Sequence, residues 1–119
     1  MKKVFVVDDS DTNLTKAKEV LTGHFTIITM VSAKKMFSLL EKITPDIILL
    51  DIEMPEMSGF EAIERLQANP GFASIPVIFL SANYSSEIET KCYELGAAGF
   101  VSKPFTVQGL LEKVKGHIG

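Results

Sequence analysis

The 119-residue chain lacks tryptophan, has one cysteine, and contains no hydrophobic run longer than a β-strand. Because Cys92 has no partner, an intrachain disulfide is excluded, and a reducing compartment such as the cytoplasm is expected. A membrane-spanning helix needs about 20 apolar residues, so no membrane association is expected. The net charge of −3 lacks the basic excess that nucleic-acid binding usually requires, so no direct nucleic-acid partner is expected.

Strand-like and helix-like segments alternate along the whole chain. Apolar or β-branched runs predict five strands: Val4–Val7, Thr26–Met30, Ile47–Leu50, Val77–Leu80 and Gly99–Ser102. Apolar residues at helical spacing predict five helices with these inward stripes: Leu14, Ala17, Val20 and Leu21; Met36, Phe37, Leu40 and Ile43; Phe60, Ile63 and Leu66; Ile88, Cys92 and Leu95; Val107, Leu110, Leu111, Val114 and Ile118. Without linker or repeat, these elements predict one doubly wound α/β domain over residues 1–119, a five-stranded parallel sheet with helices on both faces.

Helix ends are also indicated by local residues. Ser10 or Asp11 is expected to cap the first helix, and Ser32 the second. The second helix is expected to run through Ile43 until Pro45 stops it.

Polar side chains follow four of the five predicted strands. Asp8 and Asp9 follow the first strand, Asp51 the third, Ser81 the fourth and Lys103 the fifth. Right-handed crossovers place the carboxyl ends of all the strands at one edge, where open α/β sheets bind ligands. Three carboxylates at that edge repel one another and predict a site for a small hard cation, and Mg²⁺ suits such an open site.

Over essentially its whole length, the chain resembles a bacterial response-regulator receiver domain of the chemotaxis-regulator type. The resemblance is carried by Asp8-Asp9, Asp51, Ser81-Ala82 and Lys103-Pro104 in this order, and by the loop from Asp51 to Gly59. It implies a flavodoxin-like fold with strand order 2-1-3-4-5. It also implies a cytoplasmic phosphoprotein of two-component signalling that is not an enzyme, although it assists its own phosphoryl transfer and dephosphorylation.

The resemblance assigns the phosphoryl and metal chemistry to particular residues. Asp51 would accept a phosphoryl group from the phosphohistidine of a sensor histidine kinase or phosphotransfer protein. Asp9 and Asp51 would ligate Mg²⁺ directly, Asp8 would act mainly through water, and Glu53 would contribute its backbone carbonyl.

The same resemblance implies a switch. The Lys103 ammonium and the Ser81 hydroxyl would contact phosphoryl oxygens, and a cis bond before Pro104 would aim the lysine into the site. Movement of Ser81 would vacate space for Phe100. The surface of the fourth helix, fifth strand and fifth helix would then control an output domain or a partner protein, or form a homodimer on activation.

Two positions depart from the commonest pattern of the family. Ser81 stands where threonine is at least as common, so the donor is kept and a methyl group is lost. The Glu53 side chain would overhang the site, where its carboxylate could repel the phosphoryl group or position a water. Together with Asn83 it would tune dephosphorylation, in a direction that the sequence does not decide.

Two other classes of protein are alternatives. A Mg²⁺-dependent phosphohydrolase could use Asp51 or Asp8 as a transient nucleophile, but such enzymes need a second carboxylate two residues later, where Asp8 is followed by Ser10. A flavin- or nucleotide-binding module needs a glycine- or hydroxyl-rich phosphate loop after the first strand. The acidic run from Asp8 to Asp11 would instead repel a phosphate in the absence of metal.

Overall fold

The computed structural model describes residues 1–118 and has a parallel sheet between two layers of helices. The strands are β1 (Lys3–Val7), β2 (Thr26–Met30), β3 (Ile47–Asp51), β4 (Val77–Ser81) and β5 (Gly99–Ser102). The helices are α1 (Asp11–Leu21), α2 (Ala33–Leu40), α3 (Gly59–Ala68), α4 (Ser86–Glu94) and α5 (Val107–Ile118). The spatial order is β2-β1-β3-β4-β5, so the predicted doubly wound fold and strand order are confirmed.

The sheet buries both of its faces, which is why its strands are continuous apolar runs. Successive side chains of a strand point to opposite faces, and the core divides accordingly. Phe5, Ile48 and Phe79 pack against residues of α2, α3 and α4. Val6 and Leu49 pack on the other face against residues of α1 and α5. All residues of the central strands β3 and β4 are buried.

Serine residues start four of the helices. In each case the serine hydroxyl accepts a hydrogen bond from a backbone N–H three residues later, at Ser10, Ser32, Ser58 and Ser85. Each such cap stabilises a helix by about 1 kcal/mol. Three of these caps also fix the paths of the loops that follow β1, β3 and β4, which are the loops at the carboxyl edge of the sheet.

Two predictions about helices are wrong. The second helix ends at Leu40, before Pro45, because the chain turns at Glu41. Ile43 packs on the core from that turn. Val107 is 57% exposed, because it is the first residue of α5 and the buried side of that helix begins one turn later, at Leu110.

Candidate functional site

The paired strands end level with one another at the carboxyl edge. Val7 is in register with Leu50, and Asp51 is in register with Leu80. Asp51 and Ser81 are therefore the last residues of adjacent strands, and Asp8 follows β1 directly. In the strand order 2-1-3-4-5, β1 and β3 flank the point at which the winding reverses, where such sheets bind ligands.

Three carboxylates meet at this edge. Asp8, Asp9 and Asp51 each place one oxygen within 4.8 Å of the others. Asp8 and Asp51 are buried and Asp9 is exposed, so the cluster opens to solvent on one side. Burial, followed by the negative charge of Asp8, raises the pKa of Asp51 to about 7.

Lys103 lies between the two buried carboxylates. Its Nζ donates a hydrogen bond to Asp8 Oδ2 at 2.9 Å and lies 3.1 Å from Asp51 Oδ1. Burial acts to lower the pKa of Lys103, but the hydrogen bond to Asp8 and the charge of Asp51 outweigh it, and the pKa is raised. The Lys103 side chain therefore stays protonated and carries a positive charge at neutral pH. The bond between Lys103 and Pro104 is cis, as predicted.

Asp51 Oδ1 is a buried oxygen that accepts no hydrogen bond from residues 1–118. The Lys103 ammonium lies 3.1 Å from this oxygen and forms an ion pair with it. Buried polar atoms without a partner are costly and rare. An orphaned oxygen beside two further carboxylates fits a small hard cation with oxygen ligands, as Mg²⁺ requires.

A second polar cluster joins the loops after β3 and β4. The buried Ser81 hydroxyl donates to Glu53 Oε1 at 2.7 Å, with Oε2 at 3.1 Å. Asn83 Nδ2 donates to the same Oε1 at 3.0 Å, and the Asn83 backbone N–H donates to Ser81 Oγ at 3.0 Å. Sequence reasoning placed Glu53 above the site but missed its contact with Ser81, which joins the loop after β3 to the last residue of β4.

The structure adds two residues that sequence reasoning did not assign to the site. The ring of Tyr84 lies 5.7 Å from that of the buried Phe100, and the Tyr84 hydroxyl donates to Glu89. Gly59 approaches the backbone of Asp51 so closely that a Cβ there would lie 2.3 Å from the Asp51 carbonyl oxygen. The remaining predicted residues, Ala82 and Pro104, are exposed beside the cluster.

The fold and the site together define a class, the flavodoxin-like α/β domains with an acidic site and a lysine at the carboxyl edge. Residues 4–115 match the family model of the response regulator receiver domain, and the chain belongs to this family. It is therefore a receiver domain of two-component signalling, a signalling domain and not a classic enzyme. Receiver domains bind Mg²⁺ at an acidic pocket and act with histidine kinases and with output or partner proteins.

The chain is similar to proteins that carry this domain alone or within a longer chain. It is 31% identical to the polar-differentiation response regulator DivK of Brucella ovis over 120 residues, covering 99% of this chain and 97% of that protein. It is 37% identical to a probable cyclic di-GMP phosphodiesterase of Vibrio cholerae over 115 residues, covering 97% of this chain and 26% of that protein. Two further curated relatives are also longer, since the chain spans 7% and 54% of their lengths.

Among solved structures, the chemotaxis protein CheY4 of Vibrio cholerae superposes with a TM-score of 0.92. It is 26% identical in sequence, and 98% of each chain is covered.

Within residues 1–118, no helix is both long enough and apolar enough to cross a membrane.

Proposed function

We propose that this chain is a phosphorylation-dependent switch in which Asp51 accepts a phosphoryl group from the phosphohistidine of a sensor histidine kinase or phosphotransfer protein. The observation that carries the proposal is Asp51 Oδ1, which is buried and accepts no hydrogen bond from the described residues. It lies 3.1 Å from the Lys103 ammonium and beside the carboxylates of Asp8 and Asp9. A carboxylate held in this way has a lone pair that can attack phosphorus, and the Lys103 ammonium beside it can pair with a phosphoryl oxygen. The further carboxylates suit the cation that would offset their charge.

The transfer itself needs positioning and charge neutralisation more than covalent help. An Asp51 oxygen forms a bond to phosphorus while the phosphorus–nitrogen bond to the histidine breaks and its electron pair returns to the imidazole. Asp8, Asp9, Asp51 and the Glu53 carbonyl would hold Mg²⁺, which would neutralise negative charge on the carboxylates and on the phosphoryl oxygens. Such neutralisation would also favour the ionised form of Asp51, whose pKa burial raises to about 7.

Phosphorylation changes the charge of the site and so provides a signal. Phosphorylation replaces the single negative charge of the Asp51 carboxylate with a group that carries a charge of roughly −1.5 to −2 and strong acceptor oxygens. Lys103 already lies within 3.1 Å of Asp51 and pairs with one oxygen, and the Ser81 hydroxyl donates to another. Movement of the loop after β4 then changes the packing around Phe100. The surface of α4, β5 and α5 transmits this change to an output domain, a partner protein or a second copy of the chain.

A phosphohydrolase is the less favoured function. Ser10 stands two residues after Asp8, and its hydroxyl caps α1 by accepting from the Asn13 N–H. A capping hydroxyl provides no second acid or base carboxylate for turnover. Asp8 is therefore disfavoured as the nucleophile of such an enzyme. The carboxylate two residues after Asp51 is Glu53, and it accepts hydrogen bonds from Ser81 and Asn83, an arrangement that favours one phosphorylation event and a signal over repeated hydrolysis of a substrate.

Intact-mass measurement after treatment with acetyl phosphate and Mg²⁺ tests the proposal. Wild type should gain a single hydroxylamine-labile phosphoryl adduct that needs Mg²⁺, and Asp51→Asn should gain none. Asp46→Asn is the matched control, because Asp46 precedes the same strand at its opposite end, where its side chain accepts a hydrogen bond from the Lys3 N–H. An adduct in Asp51→Asn, or none in well-folded wild type trapped quickly, would overturn the assignment of Asp51.

A further inference from the structure

The Ser81 hydroxyl is already engaged in the resting structure. It has one proton to donate, and the shortest contact of that proton is with Glu53 Oε1 at 2.7 Å. Its lone pair accepts from the Asn83 backbone N–H. Ser81 therefore has no free proton for a phosphoryl oxygen until the contact with Glu53 breaks.

The Glu53 carboxylate is held at this position from two sides. Besides the Ser81 hydroxyl, the Asn83 side-chain amide donates to Oε1 at 3.0 Å. The carboxylate thereby links the loop after β3, to which Glu53 belongs, to the end of β4 at Ser81 and to the following loop at Asn83. Glu53 and Asn83 are exposed whereas Ser81 is fully buried, so the carboxylate reaches the hydroxyl from the solvent side.

The charge of Glu53 acts on the phosphoacceptor as well. It contributes to the raised pKa of Asp51, after burial and the charge of Asp8 and against the opposing effect of Lys103. A negative charge that is felt at the Asp51 carboxylate is also felt by a phosphoryl group bonded to it, which carries roughly twice the charge.

We propose that the Glu53 carboxylate competes with the phosphoryl group on Asp51. It accepts the Ser81 hydroxyl proton that the phosphoryl group would otherwise accept, and its negative charge repels the phosphoryl group, until the carboxylate moves into solvent. This inference rests on the proposed phosphorylation of Asp51. It gives the direction that the sequence left open: Glu53 disfavours phosphorylation. The displaced carboxylate also releases Asn83, so breaking these contacts frees the loop after β4 to move.

The structure indicates that removing Glu53 leaves Ser81 satisfied. The Asn83 carbonyl oxygen lies 3.2 Å from the Ser81 hydroxyl and can accept its proton. Because Glu53 is exposed, truncating it also leaves no buried cavity. A Glu53→Ala protein is therefore expected to fold, which far-UV circular dichroism and urea unfolding verify before binding is measured.

The test measures the affinity of the phosphoryl analogue beryllofluoride by calorimetry at saturating Mg²⁺. Glu53→Ala should bind beryllofluoride about tenfold tighter than wild type, because the Ser81 hydroxyl no longer has to give up a hydrogen bond to a charged carboxylate. Glu53→Gln should show a smaller gain, because its amide oxygen still accepts from Ser81 without the charge. Glu56→Gln is the matched control, an exposed carboxylate in the same loop, and should stay within about twofold of wild type because solvent screens its charge.

A second variant separates competition from a general structural effect. If Glu53 acts by occupying the Ser81 hydroxyl, its removal should matter less when that hydroxyl is absent. The double variant Ser81→Ala, Glu53→Ala should therefore bind beryllofluoride only about threefold tighter than Ser81→Ala, or less. Such a difference from the effect of Glu53→Ala in wild type is the non-additivity expected of two residues in contact. In the single variant, the amide nitrogen resonances of the Asn83 side chain should also shift, because their acceptor is gone.

The outcomes distinguish this inference from the proposed function. If wild type forms the Asp51 adduct but Glu53→Ala binds beryllofluoride no better than Glu56→Gln, the competitor is overturned and phosphorylation stands. An equal gain in the presence and absence of the Ser81 hydroxyl overturns competition for the donor. If no protein forms an adduct or binds beryllofluoride, both proposals fall.

Discussion

Gly59→Ala is expected to destabilise the domain by displacing the backbone that carries Asp51. A Cβ at this position would lie 2.3 Å from the Asp51 carbonyl oxygen and 2.9 Å from the Ile52 Cα. Both atoms belong to the backbone, so no side-chain rotation relieves the contact. Contacts between carbon and oxygen are normally at least about 3.3 Å, so the start of α3 or the end of β3 has to move by about 1 Å.

The magnitude follows from three effects. Overpacking of this kind costs about 1–3 kcal/mol. Moving α3 also stretches the hydrogen bond from the Gly59 N–H to the Ile52 carbonyl, now 2.9 Å, which is worth about 1 kcal/mol. The better helix propensity of alanine returns about 1 kcal/mol. The net loss in the free energy of unfolding is about 2 kcal/mol, a large part of the roughly 5–15 kcal/mol of a typical domain.

Urea unfolding of Gly59→Ala beside Gly116→Ala provides the assay. A Cβ at Gly116, also in a helix, would meet no atom of the part of the chain that the structure describes within 4 Å. The same chemical change should therefore stabilise the domain there by up to about 1 kcal/mol. The two variants should shift the midpoint in opposite directions at an unchanged m-value, and Gly59→Ala should form the Asp51 adduct more slowly. A Gly59→Ala protein as stable as wild type would refute the reasoning.

Three further predictions concern charge and capping. Asp51→Asn should stabilise the Mg²⁺-free domain at pH 8 by about 2 kcal/mol, half of what the full pKa shift implies because the edge is open to solvent. The pKa of Asp51 is raised from 3.8 in the unfolded chain to about 7 in the folded domain. The free energy of unfolding of wild type should therefore fall as the pH rises from about 4 to 7, because the folded domain resists the ionisation of Asp51. Urea unfolding midpoints should fall across that range for wild type and change less for the variant. Lys103→Met should lower the free energy of unfolding by about 3 kcal/mol without Mg²⁺, because the carboxylates of Asp8 and Asp51 lose the ammonium that pairs with them. A loss below about 1 kcal/mol in denaturant titration would contradict the ion-pair geometry. Ser58→Ala removes a capping box and should lower stability in thermal unfolding by about 1 kcal/mol, whereas Ser38→Ala, at an exposed position within α2, should not.

Residues in regular elements were the easiest to predict. Four-residue apolar runs such as Ile47–Leu50 are typical of strands buried on both faces, and the structure extends that run by one residue to Asp51. The end of α2 was predicted wrongly, because an apolar residue such as Ile43 packs equally well from a turn as from a helix. Periodicity reports which residues face the core, and it does not report where the backbone hydrogen bonds stop.

The identities of the site residues were also within reach of the sequence. A polar residue directly after a buried strand lies at the carboxyl edge whatever the loops do, because right-handed crossovers place every parallel strand in the same direction. That argument brings Asp8, Asp51, Ser81 and Lys103 to one edge. It carries no distances, since it says nothing about the path of each loop.

The sequence by itself therefore determined the fold, the strand order implied by its resemblance, and the set of residues at the edge. Only the tertiary structure decided that Lys103 lies between Asp8 and Asp51, that no donor among residues 1–118 bonds to Asp51 Oδ1, and that the Glu53 carboxylate accepts from Ser81. The physical reason is that local patterns depend on neighbours along one strand or helix. These contacts join side chains from different strands, and their distances depend on how the capped loops and packed helices bring the ends of those strands together.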